Sequence, residues 1–227
     1  MSLEGFFTHS YRVITIKTGK WRENTYLVYR KAEPWLFIVD PGDDEKGVLE
    51  AIERGGYPPR FVLLTHAHYD HVASLRAVCD TYEIPFYLQP DDRRLLRQAS
   101  MYRVSFGSGA IREPGTPEPL EGLGDNWTKL GFAPDIHALR VPGHTPGGVC
   151  YRLEGVAFSG DTLLNEKVGR TDLPGSDKAR LSSSVENMLD LLDPDTMLLP
   201  GHGEPWTARA ARVWWEKTSQ DAPEYRA

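Results

Sequence analysis

The run Thr65-His66-Ala67-His68-Tyr69-Asp70-His71 sets three imidazoles and one carboxylate within six residues, directly after the apolar stretch Phe61-Val62-Leu63-Leu64. These side chains are the borderline donors that suit zinc, and also iron or manganese. Four of them on one short loop crowd any single tetrahedral ion, because the adjacent Asp70 and His71 do not easily aim at the point served by His66 and His68. Two metal ions a few ångström apart relieve that geometry. A short buried strand running into such a loop, with a helix expected over Val72 to Tyr82, is how open α/β sheets present ligands at their strand ends.

Three more turns carry single donors of the same kind. His144 lies in Pro142-Gly143-His144-Thr145-Pro146-Gly147-Gly148, after a strand ending at Val141. Asp161 follows a strand and a glycine in Phe158-Ser159-Gly160-Asp161-Thr162, and His202 does so in Pro200-Gly201-His202-Gly203 after Met197-Leu198-Leu199. Small residues let the backbone turn tightly there, so that one polar side chain points at a common locus. Each motif alone is an ordinary turn; the set of four is not. His9 and His137 lie outside these turns and read as surface or strand histidines.

The surrounding pattern is that of an α/β protein. Strands are expected at 11–16, 24–29 and 35–39, then at 61–65 and 84–88, from β-branched and aromatic enrichment between Gly and Pro. Helices are expected at 45–54, 72–82 and 91–104, the last with Asp91-Asp92 favouring its first turn. Strands return at 137–141, 148–153, 156–159 and 197–199. Two more helices are expected, at 182–192, with a Ser182 capping box, and at 207–218. Residues 106–124, rich in Gly, Pro and Glu, read as a solvated connector or a pocket wall. Arg97, Tyr102, Arg103 and Phe106 fit such a wall as well as they fit a helix. Trp214-Trp215 is expected to pack on a sheet.

Composition bounds the partners. With 227 residues and 40 % hydrophobic content, the chain reads as one domain over 1–227 with a sizeable core. Its net charge of −6 and pI near 5.7, with no basic run, argue against nucleic acid as the main partner. Its apolar stretches fall far short of the roughly 20 residues that span a bilayer. The N-terminal residues show no signal-peptide pattern, and Cys79 and Cys150 read as small buried hydrophobes of a reducing cytoplasm. Nothing in the chain specifies an oligomer.

The ordered motifs resemble the metallo-β-lactamase superfamily from about Tyr26 to Pro205. Within it the likeness is to glyoxalase II-like (hydroxyacylglutathione hydrolase-like) single-domain enzymes, carried by Thr-His-x-His-x-Asp-His at 65–71, Gly-His-Thr-Pro-Gly at 143–147 and Ser-Gly-Asp-Thr-Leu at 159–163. The resemblance implies a four-layer αβ/βα sandwich with a binuclear site. His66, His68 and His144 would hold the first metal, Asp70, His71 and His202 the second, and Asp161 would bridge them. It also implies hydrolysis of a small-molecule thioester, glutathione-derived or otherwise, by a metal-bridging hydroxide held near Asp70, with zinc, iron or manganese as the two divalent ions. Asp40 and Thr65 are candidates to orient these ligands, or simply turn and strand residues.

Arg170, in Gly169-Arg170-Thr171-Asp172, stands where relatives place a basic glutathione contact, but Asp172 replaces an aromatic residue. The arginine is expected either to bind a substrate carboxylate or to pair with Asp172. The chain after His202 is too short for the helical glutathione-binding domain of glyoxalase II. Other readings on the same fold are a persulfide dioxygenase, with one iron at His66, His144 and Asp161, and a lactone or phosphodiester hydrolase. A scaffold without catalysis would lack ligands, whereas all seven positions are filled.

Overall fold

The computed structural model describes residues 5–221, which form two compact units that divide at Leu120. The first unit carries a seven-stranded sheet. It runs β1 (Gly5–Phe7), β2 (Tyr11–Thr18), β3 (Glu23–Arg30), β4 (Leu36–Val39), β5 (Pro59–Leu63), β6 (Phe86–Leu88) and β7 (Glu118–Pro119), in sequence order across the sheet. The first four strands pair antiparallel and the last four parallel. Parallel pairing demands long crossovers, and here they are helical. The helices of this unit are α1 (Glu45–Gly55), α2 (Tyr69–Val72), α3 (Leu75–Tyr82) and α4 (Arg93–Ser105).

Local chemistry explains the boundaries. Asp44 caps α1 by accepting from the Gly47 N–H, and Gly56 ends the helix at φ 73°, a left-handed value that glycine takes without penalty. β4 is buried along its whole length, as expected of a strand with neighbours on both sides. Ile38, Leu27, Val62, Val48, Ile52 and Leu75 meet in one core.

The helix expected over 72–82 is two helices. The chain bends at Ala73–Ser74, where Ser74 turns its hydroxyl to the Gly42 carbonyl and its N–H to Pro41 O. In the connector 106–124 only Glu118–Pro119 is strand, at the sheet edge where proline is tolerated.

The second unit carries a six-stranded sheet of β8 (Thr128–Leu130), β9 (Ala133–Arg140), β10 (Val149–Leu153), β11 (Val156–Gly160), β14 (Met197–Pro200) and β15 (Trp206–Thr207). Its spatial order is β15-β14-β11-β10-β9-β8, with only β11 and β14 parallel. A small hairpin, β12 (Leu163–Leu164) with β13 (Lys167–Val168), precedes α5 (Lys178–Asp190), and α6 (Ala208–Asp221) closes the described chain. Trp215 is buried with Leu198, Cys150 and Met188, so the tryptophan pair does pack on the sheet side.

The helix expected from Ser182 begins four residues earlier. Asp177 is its cap, accepting from the Arg180 N–H, while Ser182 and Ser183 bond back to Lys178 O and Ala179 O inside the helix. Among the described residues no helix is long and apolar enough to cross a membrane.

Candidate metal centre

In the first unit the ligand loop springs from the end of β5, and His66 and His71 are almost completely buried within it. Their ring centroids lie 4.1 Å apart, and those of His66 and His68 4.9 Å. Asp70 and His71 sit on the single turn of α2, Asp70 half-buried at its start. A buried cluster of imidazoles is unfavourable unless the rings are hydrogen-bonded or hold a cation.

Asp40 supplies much of the bonding. Its Oδ2 accepts from the Thr65 hydroxyl at 2.6 Å and from His71 Nδ1 at 3.0 Å, and its Oδ1 accepts from the Thr65 N–H at 2.8 Å. Because the Thr65 hydroxyl hydrogen goes to Asp40, its oxygen is left to accept from His66 Nδ1, 3.0 Å away. Both imidazoles then carry their proton on Nδ1 and direct the Nε2 lone pair outward, the tautomer that binds a metal.

Asp40, His66 and His71 fall within 4.8 Å of one another, a grouping that these hydrogen bonds explain without making Asp40 a ligand. Asp40 reaches this position at φ 51°, in the left-handed region that costs a residue with a Cβ about 1–2 kcal/mol. Asp92 braces the loop from the other side, its carboxylate accepting from the Ala67 N–H at 3.1 Å while fully buried. The sequence suggested only a helix-start role for it, with no local signal for this contact.

In the second unit three strand ends deliver the remaining donors. His144 follows β9 on a turn whose Gly143 has φ 136°; a Cβ there would lie 2.2 Å from the Leu181 backbone nitrogen. Asp161 follows β11 and His202 follows β14, two strands that pair in parallel and so end at the same edge. Asp161 Oδ2 lies 3.7 Å from His144 Nε2 and 3.6 Å from His202 Nε2. Those separations are long for hydrogen bonds. They are close to the roughly 3.4 Å between donor atoms on a tetrahedral ion with arms of about 2.1 Å. The donor set therefore suits divalent metal ions.

His144 Nδ1 donates to the Arg170 carbonyl at 2.8 Å, which again points Nε2 at the carboxylate. Gly169 makes that approach possible, since a Cβ on it would fall 1.9 Å from Asp161 O and 2.8 Å from His144 Nδ1. The Arg170 guanidinium pairs with both carboxylate oxygens of Asp172 at 2.6 and 2.7 Å, and these bonds hold the Asp172 carboxyl down to about 2. Of the two roles expected for Arg170, pairing with Asp172 is present. Its backbone also serves His144, a role invisible in sequence. His137 lies on β9, part-exposed and away from these turns, as expected.

A family model described as the metallo-beta-lactamase superfamily matches residues 18–202. The hydroxyacylglutathione hydrolase GloC of Haemophilus influenzae is 31 % identical over 198 residues, covering 83 % of this chain and 89 % of that protein. Two solved structures align with a TM-score of 0.77. One is TTHA1623 in a di-iron-bound form, at 34 % identity over 86 % of this chain and 95 % of that one. The other is the B3 metallo-beta-lactamase BLEG-1, at 32 % identity over 86 % and 94 %. The mixed α/β fold expected from the motifs is the fold of these neighbours.

Proposed function

Because the chain belongs to the metallo-beta-lactamase superfamily, we propose that it hydrolyses a small-molecule thioester, a hydroxyacylglutathione or a related acyl thioester, at a centre of two divalent ions. The observation that carries the metal part of this reading is Asp161 Oδ2 set between His144 Nε2 and His202 Nε2. The likeness to GloC supports the substrate class.

His66, His68 and His144 would hold one ion, Asp70, His71 and His202 would hold the other, and Asp161 would be shared by both. Zinc is the proposed metal; the di-iron form of a similar protein makes iron the competitor. When bound, such ions supply an activated water for attack and polarise the scissile carbonyl. The chain's own part is to hold the imidazoles of His71, His66 and His144 with Nε2 forward through Asp40, Thr65 and the Arg170 carbonyl, and to keep Asp70 where it would accept the proton of the attacking water. Arg170 is the proposed contact for a substrate carboxylate, which would take the place of Asp172. No serine or cysteine nucleophile is required, and the cytoplasm is the proposed compartment.

The likeness to BLEG-1 favours a second reading, opening of a β-lactam by the same centre. Steady-state hydrolysis of lactoylglutathione, a glutathione-free thioester and a β-lactam, before and after chelation and metal re-addition, separates the two. Thioester turnover lost on chelation and restored by metal is expected. β-Lactam turnover alone selects the second reading. Oxygen uptake with glutathione persulfide, in place of hydrolysis, would move the chain to the dioxygenase reading.

A further inference from the structure

Glu23 opens β3 and is completely buried, yet it contributes nothing to the ligand set. Its Oε1 accepts from the Asp43 N–H at 2.6 Å and from the Thr18 hydroxyl. Two residues on, the Thr25 hydroxyl donates to the Asp40 carbonyl at 2.8 Å and accepts from the Gly42 N–H at 2.8 Å. The turn Asp40-Pro41-Gly42-Asp43 is thus pinned at its first, third and fourth residues by side chains of β3, with Thr18 of β2 bonded in turn to Glu23.

The fit leaves no slack. A Cβ on Gly42 would lie 1.8 Å from Glu23 Oε1 and 2.2 Å from Thr18 Oγ1, and one on Gly19 would lie 2.9 Å from Glu23 Oε2. On its outer side the turn is held by the Asp43 carboxylate, which takes the Arg103 guanidinium at 2.8–3.1 Å. Burying a carboxyl among hydroxyls and amides is costly, and core packing alone would be met by an apolar residue. What an apolar residue lacks is the acceptor that takes both the Asp43 N–H and the Thr18 hydroxyl.

We propose that Glu23 is a positioning residue for the metal centre. Through the Asp43 N–H, alongside the ties that Thr25 makes to Asp40 and Gly42, it holds the turn in the left-handed conformation that aims the Asp40 carboxylate at His71 and Thr65. The inference rests on the metal-centre reading above. When the Glu23 acceptor is removed, Asp40 relaxes toward ordinary backbone angles, His71 and His66 lose the partner that fixes their tautomer, and metal binding weakens.

The test uses the full chain and Co²⁺ or Zn²⁺ alone, without substrate. Glu23→Ala is expected to weaken metal binding by about tenfold or more, the usual cost of losing a partner behind a ligand, and to alter the Co²⁺ visible spectrum while far-UV circular dichroism is kept. Glu23→Gln keeps an oxygen that accepts both hydrogen bonds, and is expected to bind metal like the wild type. If Glu23→Ala fails to fold, Glu23→Met removes the same acceptor while filling most of the same space, and should show the same loss.

Wild-type affinity in Glu23→Ala, or in Glu23→Met where the first variant fails to fold, would overturn the proposal, as would a Glu23→Gln protein as weak as Glu23→Ala. A wild-type chain that binds no Co²⁺ or Zn²⁺ would instead remove the metal-centre reading itself.

Discussion

Asp40 and His71, 31 residues apart in sequence, meet with Oδ2 3.0 Å from Nδ1, both essentially excluded from solvent. The carboxylate fixes the proton on Nδ1, so the geometry of one turn determines the ligand state of an imidazole on another. Asp40→Ala is expected to lower metal affinity by roughly 10- to 100-fold, measured by competition with a chromophoric chelator. Unchanged affinity would reduce Asp40 to a turn residue.

Gly169 is a steric requirement. Gly169→Ala forces its Cβ against Asp161 O and His144 Nδ1, and should cost about 1–3 kcal/mol of stability. Turnover should fall by more than tenfold, because His144 is displaced from the Arg170 carbonyl. Gly131→Ala is the control, since nothing lies within 4 Å of its Cβ position. Thermal melts and turnover of both proteins, side by side, decide the point; equal behaviour of the two would refute the crowding argument.

Burial raises the Glu23 carboxyl from an ordinary 4.5 to about 7, the Asp43 N–H only partly opposing it. Between those pH values the folded chain keeps a proton that the unfolded chain has released. Metal-free protein should therefore lose stability as pH rises through that window, by about 3 kcal/mol from this group. Urea titrations in chelator at pH 5 and pH 8 test this. The gap between wild type and Glu23→Gln should change by that amount, and a pH-independent gap would count against the raised value.

Both cysteines are free thiols, and burial pushes Cys79 up to about 12 and Cys150 further still. Thiolate is scarce in either at pH 8. Iodoacetamide should leave the native protein unlabelled over the time in which the unfolded chain takes two labels, as read by mass spectrometry. Cys79 is part-exposed and Cys150 buried, so rapid labelling of Cys150 would show that its site opens readily, and rapid labelling of Cys79 that its thiolate is not scarce.

Arg170 offers a sharper test of substrate recognition. Its carbonyl, not its side chain, supports His144, so Arg170→Ala should keep its metal content. KM should rise for a thioester bearing a carboxylate and stay unchanged for a neutral one. Equal effects on both would assign the guanidinium to pinning the loop through Asp172.

The ligand loop was legible because its chemistry is local. Four donors stand beside one another after an apolar strand, and no packing detail is needed to see them. The turns at 143, 160 and 201 were legible for a related reason: glycine before a single donor marks a tight turn wherever it occurs. The residues behind the ligands were harder to read. Asp40 and Thr65 drew notice only as strand-end polar residues, while Asp92, Glu23 and Gly169 gave no local sign of their part. Asp92 looks like an ordinary acidic residue at a helix start, and Glu23 like an exposed strand end; each acts on a residue 20 or more positions away. The misplaced start of α5 has the same origin. Ser182 matches a capping pattern, but the apolar face of that helix packs from Leu181 onward, and burying it extends the helix back to Asp177.

The sequence by itself determined the kinds of donor, their order along the chain, and the strand-then-turn context that presents each one. Periodicity and turn chemistry act over a few residues and survive without a fold. Only the tertiary structure decided which nitrogen of His71 and His144 faces forward, because that depends on an acceptor, the Asp40 carboxylate or the Arg170 carbonyl, brought in from a distant turn. The left-handed turn at Asp40 and the bare backbone at Gly169 are decisions of the same sort, made by close packing between segments far apart in sequence.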